Sequence, residues 1–243
     1  MSNFKLNRLI MTLGVTFLFA VIGCSSEEIS STSNSGTEPL TGTVEVDGSS
    51  TVAPVSEAVA EEFKKQFPKT NVLVGVSGSG GGFKRFVIGE TDISNASRDI
   101  KPSEAEKAKA NGIDFAELRI GMDGLSVMVN TKNTFVDCLT TTELKKIWEP
   151  GSLINNWNEI RPSFPDQKLR LYGPGTDSGT FDFFTDEING QSGASRDDYT
   201  MSEDDNVVVQ GISGDQNSLG YFGYAYYAAN KDKLKVIGID SGE

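Results

Sequence analysis

The sequence has 243 residues, a formal net charge of −12 and no histidine. The acidic balance argues against a nucleic-acid partner, because surfaces that bind DNA or RNA are basic. The lack of histidine excludes His-based catalytic triads and the commonest metal ligand, so we expect no metal site, no cofactor and no enzyme of the triad type.

Residues 1–24 have the pattern of a lipoprotein signal peptide. Lys5 and Arg8 form a short basic region, an apolar stretch covers residues 9–22, and Cys24 closes an end that resembles a lipobox. The apolar stretch is too short for a membrane span, which needs about 20 residues. We therefore expect cleavage before Cys24 and lipidation of its thiol. A plain signal peptide with a chance cysteine is the alternative.

Residues 25–42 are rich in Ser, Thr, Gly and Asn and lack periodic apolar positions. This composition predicts a flexible tether between the membrane anchor and a soluble body. If Cys24 is acylated, Cys138 has no cysteine partner. We then expect a buried free thiol at Cys138 and a fold that does not depend on disulfides.

From residue 43 onwards, predicted strands and helices alternate. Residues 55–67, for example, place Val55, Val59 and Phe63 at the i, i+4 spacing of an amphipathic helix. The predicted strands cover residues 43–46, 72–76, 93–96, 115–120, 125–130, 168–172, 218–222 and 234–239, and the predicted helices cover residues 55–67, 82–88, 102–110, 140–148, 180–188, 204–212 and 224–230. The alternation predicts an α/β fold with parallel or mixed sheets.

Three Gly/Ser/Thr-rich turns, at residues 48–54, 78–83 and 175–180, each precede a predicted helix. Unpaired N–H groups and the helix dipole make such a helix N-terminus suited to an anion, whereas an ordinary N-cap is the alternative for any one turn. The third turn lacks the G-x-S-x-G pattern of a catalytic elbow, and no His is present to serve as its base. We therefore predict that Ser178 and Thr180 are hydrogen-bond donors rather than nucleophiles.

Arg98 follows a predicted strand in a fourth loop. Its guanidinium can offer a planar fork of donors to an oxyanion. A surface salt bridge to Asp99 or Glu104 explains an arginine at this position equally well. Combined with the three turns, Arg98 suggests a cage for a small oxyanion.

The segments GSSTVAP, GSGGGFKRF, ETDISNASR and GTDSGTFDFF resemble the phosphate-binding proteins of bacterial ABC phosphate importers, especially their cyanobacterial-type branch. The resemblance covers roughly residues 43–240 and implies a type II periplasmic-binding-protein fold with a central cleft between two α/β lobes. Lobe 1 would take residues 43–121, lobe 2 residues 122–238, and residues 239–243 would start a return to lobe 1. Family members continue further, so we expect a C-terminal truncation that removes the returning segment.

The resemblance also implies that phosphate lies between the lobes without its hydration shell. Its ligands would be Ser50, Thr51, Ser79, Gly80, Arg98, Ser178, Gly179 and Thr180. The best-known members carry an Asp at the position of Arg98 and an Arg at the position of Pro174. The usual carboxylate that accepts the phosphate proton, and so rejects sulfate, is therefore missing. Asp177 is the best substitute, and Asp92 is the next.

The function implied is that of a high-affinity phosphate-binding lipoprotein in the cell envelope, on the periplasmic or extracytoplasmic side of the membrane. It would act as a monomer and deliver phosphate to the permease and ATPase of an ABC importer. A phosphate sensor or scavenger without a transporter is one alternative, and a binder of sulfate or molybdate is another. A phosphatase is disfavoured, because the sequence offers neither a metal site nor a Cys or His nucleophile with a base.

Overall fold

The computed structural model describes residues 40–242. The predicted signal peptide, Cys24 and most of the predicted tether lie outside these residues. Within residues 40–242, no helix combines the length and the apolar character needed to cross a membrane. The described chain forms mixed α/β sheets with flanking helices, in two lobes as predicted.

The first lobe is built on a small parallel sheet with strand order β2-β1-β3. Its elements are β1 (Gly42–Gly48), α1 (Ala53–Gln66), β2 (Thr70–Val74), α2 (Gly78–Phe86), β3 (Ile93–Asn95) and α3 (Pro102–Ala110). The turns that follow β1 and precede α2 both lie at the carboxyl end of this sheet, where α/β folds place their ligand sites.

The second lobe contains a five-stranded mixed sheet with strand order β7-β6-β8-β4-β9. Its elements are β4 (Leu125–Asn130), β5 (Cys138–Thr140), α4 (Thr141–Trp148), α5 (Trp157–Ile160), β6 (Arg170–Pro174), α6 (Gly179–Phe184), a π-helical turn (Thr185–Asn189), β7 (Thr200–Ser202), α7 (Asp205–Gly214), β8 (Ser218–Gly223), α8 (Tyr224–Ala229), β9 (Leu234–Val236) and β10 (Gly238–Asp240). β10 pairs with β5, so residues 238–240 pack with the second lobe. The prediction that residues 239–243 start a return to the first lobe stays a prediction.

The main hydrophobic core lies in the second lobe. Trp148 packs edge-on against Tyr199 and Tyr221, with ring centroids 5.1 and 5.0 Å apart. Phe184 stacks on Tyr221 at 3.8 Å. Trp157, like Trp148, is fully buried in this core. These aromatic contacts contribute more than their buried area alone, because edge-to-face and stacked geometries are favourable.

The first lobe keeps an exposed apolar surface within the described residues. Of the residues of α1, only Ala53 is buried, and Val59 is 62% exposed. Residues 113–124, which connect the lobes, form no helix or strand, and Leu118 and Met122 are largely exposed. The strand predicted at 115–120 is therefore wrong, since no neighbouring strand is present within residues 40–242 to pair with its backbone.

Most other predicted elements are confirmed, including the helix at 204–212, which forms as α7. Cys138 is a correction: it is a free cysteine but exposed, not buried. It lies at the start of β5, where Leu139 points into the core, and neighbouring side chains on a strand face opposite sides. The predicted strand 234–239 is divided into β9 and β10 at Ile237, which is buried.

Candidate functional site

The three predicted turns meet where the two lobes face each other. The Thr51 hydroxyl of the first turn lies 3.5 Å from the Thr180 hydroxyl of the third. The Gly80 N–H of the second turn donates to the Asp177 carbonyl of the third at 2.7 Å. We call this group the interlobe cluster, and it consists of Ser50, Thr51, Ser79, Gly80, Ser178, Gly179 and Thr180. Seven of the eight sequence-predicted ligands are thus brought together, and Arg98 borders them.

The first turn is held in place by both lobes. β1 ends at Gly48, whose φ of +136° is a backbone conformation that glycine adopts readily and other residues rarely adopt. A Cβ at this position would also collide with the Asn95 carbonyl. The next residue, Ser49, donates its N–H to the same carbonyl at 2.9 Å. From the second lobe, the Tyr226 hydroxyl donates to the Ser50 carbonyl at 2.7 Å. The backbone of Ser50 is therefore positioned by a side chain that belongs to the opposite lobe.

The second turn forms the first turn of α2, which begins four residues earlier than predicted. The glycines of this turn allow close contact between backbones. A Cβ on Gly80 would lie 2.8 Å from Asp177 Oδ1, and a Cβ on Gly82 would lie 2.6 Å from the Gly48 Cα. Ser79 is fully buried, and its hydroxyl accepts from the Ser97 N–H at 3.0 Å. The glycine-rich sequence thus serves the packing of the turns on one another.

The third turn caps α6. The Ser178 hydroxyl oxygen accepts from the N–H groups of Thr180 and Phe181 at 3.1 and 3.4 Å. These two bonds use only the lone pairs of the Ser178 oxygen. The hydroxyl hydrogen of Ser178 is therefore still available to donate to another group. Ser178, Gly179 and Thr180 are all buried. The third turn is therefore an ordinary N-cap, as the alternative interpretation predicts, and it also carries a buried hydroxyl donor.

Arg98 is engaged by carboxylates. Its two terminal nitrogens donate to the Glu104 carboxylate at 2.8 Å each, and its Nε lies 3.1 Å from Asp182 Oδ2 across the lobe interface. The guanidinium also lies over the Phe83 ring at 4.9 Å. Burial lowers the pKa of Arg98, whereas the hydrogen bonds to Glu104 and its negative charge raise it. The second effect is larger, so the pKa of Arg98 lies above its usual value. The salt bridge to Glu104, one of the two interpretations, is thus present.

The two predicted proton acceptors are placed differently. Asp177 belongs to the third turn, but its carboxylate oxygens accept from the Lys84 ammonium at 2.8 and 2.7 Å. Asp92 accepts from the Glu45 N–H at 2.8 Å, four residues before Ser49 on β1. Four residues of strand span about 13 Å, so Asp92 lies away from the interlobe cluster.

Sequence reasoning missed a buried carboxylate beside the first turn. Asp205, the first residue of α7, is 1% exposed, and neither of its carboxylate oxygens has a hydrogen-bond partner among residues 40–242. Burial raises the pKa of Asp205 to about 7, and the neighbouring Ser50 side chain partly opposes this shift. The acidic run Glu203-Asp204-Asp205 is typical of an exposed helix start, so no local pattern indicates that Asp205 is buried.

Two further carboxyl groups border the same region. Burial raises the pKa of Glu203, whose Oε1 accepts from the Asp177 N–H at 3.0 Å. Burial also raises the pKa of Asp123 in the connection between the lobes, where the Gly124 backbone N–H opposes the shift. In the part of the chain that the structure describes, no group of three or more His, Cys, Asp or Glu side chains is arranged to hold a metal ion.

Comparison with known proteins gives consistent results. The family model described as a PBP superfamily domain matches residues 33–242. Protein SphX of Synechococcus elongatus is 52% identical over 198 residues, which are 81% of this chain and 58% of that protein. The phosphate-binding protein PstS of Staphylococcus saprophyticus is 41% identical over 204 residues, 83% of this chain and 62% of that protein. The chain thus spans less than two thirds of the length of these two relatives.

Among solved structures, a putative phosphate ABC transporter substrate-binding protein from Clostridium perfringens, crystallised with bound phosphate, is similar in fold. The TM-score is 0.67 at 26% sequence identity, and the match covers 81% of this chain and 75% of that one. The similarity therefore extends over most of the described fold.

Proposed function

Because the chain belongs to the PBP superfamily, we propose that it binds inorganic phosphate between its lobes and delivers it to the permease and ATPase of an ABC importer. The names of its SphX and PstS relatives and the phosphate-bound structural neighbour support this assignment. The single observation that carries it is the convergence of three donor-rich turns at the lobe interface. In this proposal the chain acts as a binding protein and not as an enzyme.

The chemistry of the interlobe cluster suits a dehydrated anion. Ser50, Ser79, Ser178 and Thr180 are buried hydroxyl-bearing residues, and a buried anion is stable only where such donors replace its water. The net charge of −12 does not oppose this, since a small buried anion responds to local donors rather than to the total charge.

Capture requires the lobes to separate and close again. The turns contact each other in this structure, and the Gly80 N–H is bonded to Asp177. Phosphate therefore enters when the lobes hinge apart, and it takes over donors such as this N–H as they close. The proposed ligands are Ser50, Thr51, Ser79, Gly80, Arg98, Ser178, Gly179 and Thr180.

The remaining parts of the proposal concern location and assembly. Lipidation at Cys24 would anchor the protein, and residues 25–42 would tether its lobes on the extracytoplasmic side of the membrane. The lobes would comprise residues 43–121 and 122–238, and the protein would act as a monomer. Metabolic labelling with a radioactive fatty acid would test the anchor, because a Cys24→Ser variant would lose the label if the anchor is at this residue.

Isothermal titration of the purified full chain with phosphate, sulfate and molybdate tests the binding function. We expect saturable phosphate binding and much weaker binding of sulfate. Thr180→Val should weaken phosphate binding, because it removes one buried donor without changing the shape of the residue. The exposed Thr200→Val provides the matched control. Binding of molybdate or sulfate in preference to phosphate would identify a different oxyanion binder.

A further inference from the structure

Asp205 lies at the boundary between the lobes. α7 packs on β6, β8 and β4 of the second lobe, and the Asp205 side chain at its start faces Ser50 of the first lobe. The charges that act most strongly on Asp205 are negative and come from Asp204, Asp123 and Glu203. No Lys or Arg within this part of the chain neutralises it.

A carboxylate in this position is costly unless it receives a hydrogen bond. Burial without a partner disfavours the charged form, and both oxygens of Asp205 are unpartnered among residues 40–242. The cost is removed if a bound molecule brings an O–H donor to the carboxylate. Near neutral pH, monohydrogen phosphate carries such a donor, whereas sulfate carries only acceptor oxygens.

The neighbours of Asp205 bring it within reach of the proposed ligand. Tyr226, also from the second lobe, holds the Ser50 carbonyl at 2.7 Å, and the Ser50 side chain faces Asp205. An anion that binds the Ser50 side chain would therefore lie next to the Asp205 carboxylate.

Each of the other carboxylates near the turns has at least one partner, although the buried Oε2 of Glu203 has none among residues 40–242. Asp177 is neutralised by Lys84, and Glu203 accepts from the Asp177 N–H. The Gly124 N–H stabilises the charged form of Asp123 and so partly offsets the effect of burial on its pKa. Asp205 is thus the buried carboxylate whose two oxygens are both available to a ligand.

We propose that Asp205 determines specificity by accepting a hydrogen bond from the protonated oxygen of phosphate, and that it rejects sulfate because two acceptors would then face each other without a hydrogen. This inference rests on the proposed phosphate-binding function. It moves the acceptor role from Asp177 and Asp92 to a residue of the second lobe that no sequence motif marks.

Titration of phosphate and sulfate into the unmodified chain, Asp205→Asn and Glu203→Gln tests the inference. In Asp205→Asn, phosphate affinity should fall about 10- to 100-fold, as expected for loss of a hydrogen bond to a charged group. Sulfate affinity should stay the same or rise, because the new amide can donate to it. Glu203→Gln should keep the preference for phosphate. Asp205→Ser serves as a second variant, and circular dichroism confirms that each variant folds.

The outcomes separate the two proposals. If the unmodified chain prefers phosphate and Asp205→Asn keeps that preference, the role of Asp205 is overturned and the proposed function stands. If Asp205→Asn weakens phosphate and sulfate equally, Asp205 has only a structural role and the inference is again overturned. If the unmodified chain binds no phosphate, both proposals fail.

Discussion

The Lys84 ammonium lies 2.8 and 2.7 Å from the two carboxylate oxygens of Asp177 and so joins the helix of the second turn to the third turn. The two residues are 93 positions apart in the sequence and belong to different lobes. The side chains are 69% and 34% exposed, so water screens the pair and its contribution to stability is small. Its position at the lobe interface nevertheless links it to the opening of the cleft.

Lys84→Ala should speed the release of phosphate. Loss of a screened ion pair favours the open state only modestly, so we expect the dissociation rate to rise about two- to fivefold. Stopped-flow release into a phosphate trap at increasing NaCl provides the measurement. The rate of the unmodified chain should rise with salt and approach that of the variant.

Lys65→Ala is the matched control for this experiment. Lys65 pairs with Glu61 and Glu62 within α1, and all three side chains are exposed. It removes one positive charge from the same lobe without touching the interface. An equal change in release rate for both variants would show that overall charge, and not the interlobe contact, is responsible.

Gly179→Ala should impair closure of the lobes. A Cβ at this position would collide with the Ser97 hydroxyl and lie 3.0 Å from both Ser79 Oγ and the Ser97 carbonyl carbon. Crowding of this kind costs about 1–3 kcal/mol, which corresponds to a loss of phosphate affinity of about 5- to 150-fold by titration. Gly121→Ala is the control, because a Cβ there meets no atom within 4 Å. Unchanged affinity in Gly179→Ala would contradict tight packing of the turns.

The stability of the phosphate-free chain should depend on Asp205 and pH. The pKa of Asp205 is raised to about 7 by burial from its usual 3.8, so the folded state holds a proton that the unfolded state loses between these values. The contribution of Asp205 to the free energy of unfolding therefore falls as pH rises from about 4 to 7. Well above pH 7, the buried charge of Asp205 lowers the free energy of unfolding by about 4 kcal/mol relative to its value at low pH.

Urea unfolding of the unmodified chain and of Asp205→Asn at pH 5 and pH 7.5 measures this effect. Asn carries no charge at either pH, so the difference in unfolding free energy should shift in favour of the variant at pH 7.5. The charges of Asp204, Asp123 and Glu203 act on Asp205 in the same direction. A pH-independent difference would mean that Asp205 does not titrate in this range.

Arg98→Lys should destabilise the chain. Lysine cannot reproduce the two bonds at 2.8 Å to Glu104 or keep a planar group over Phe83. We expect the free energy of unfolding to fall by about 1–3 kcal/mol in urea titrations. Arg170→Lys is the comparison, because Arg170 is half exposed and lies 3.8 Å from Asp215. Equal stability of both variants would show that the pairing of Arg98 has no special weight.

The sequence predicts the elements better than their contacts. α3 and β4 have the predicted bounds, because proline at a helix start and alternating apolar residues are local signals. The partners of the turns are set by distant residues, such as Asp177 for Gly80 and Tyr226 for Ser50, and no local pattern specifies them. The wrong strand at 115–120 has the same origin, because a strand forms only where a neighbour accepts its hydrogen bonds.

Both tryptophans of the chain, Trp148 and Trp157, are fully buried in the core of the second lobe. Their intrinsic fluorescence therefore reports the folding of that lobe. Neither indole lies in the interlobe cluster, so a probe of closure has to be placed elsewhere. The exposed thiol of Cys138 offers an attachment point for a dye on the second lobe instead, and a second dye on the first lobe would turn closure into an energy-transfer signal.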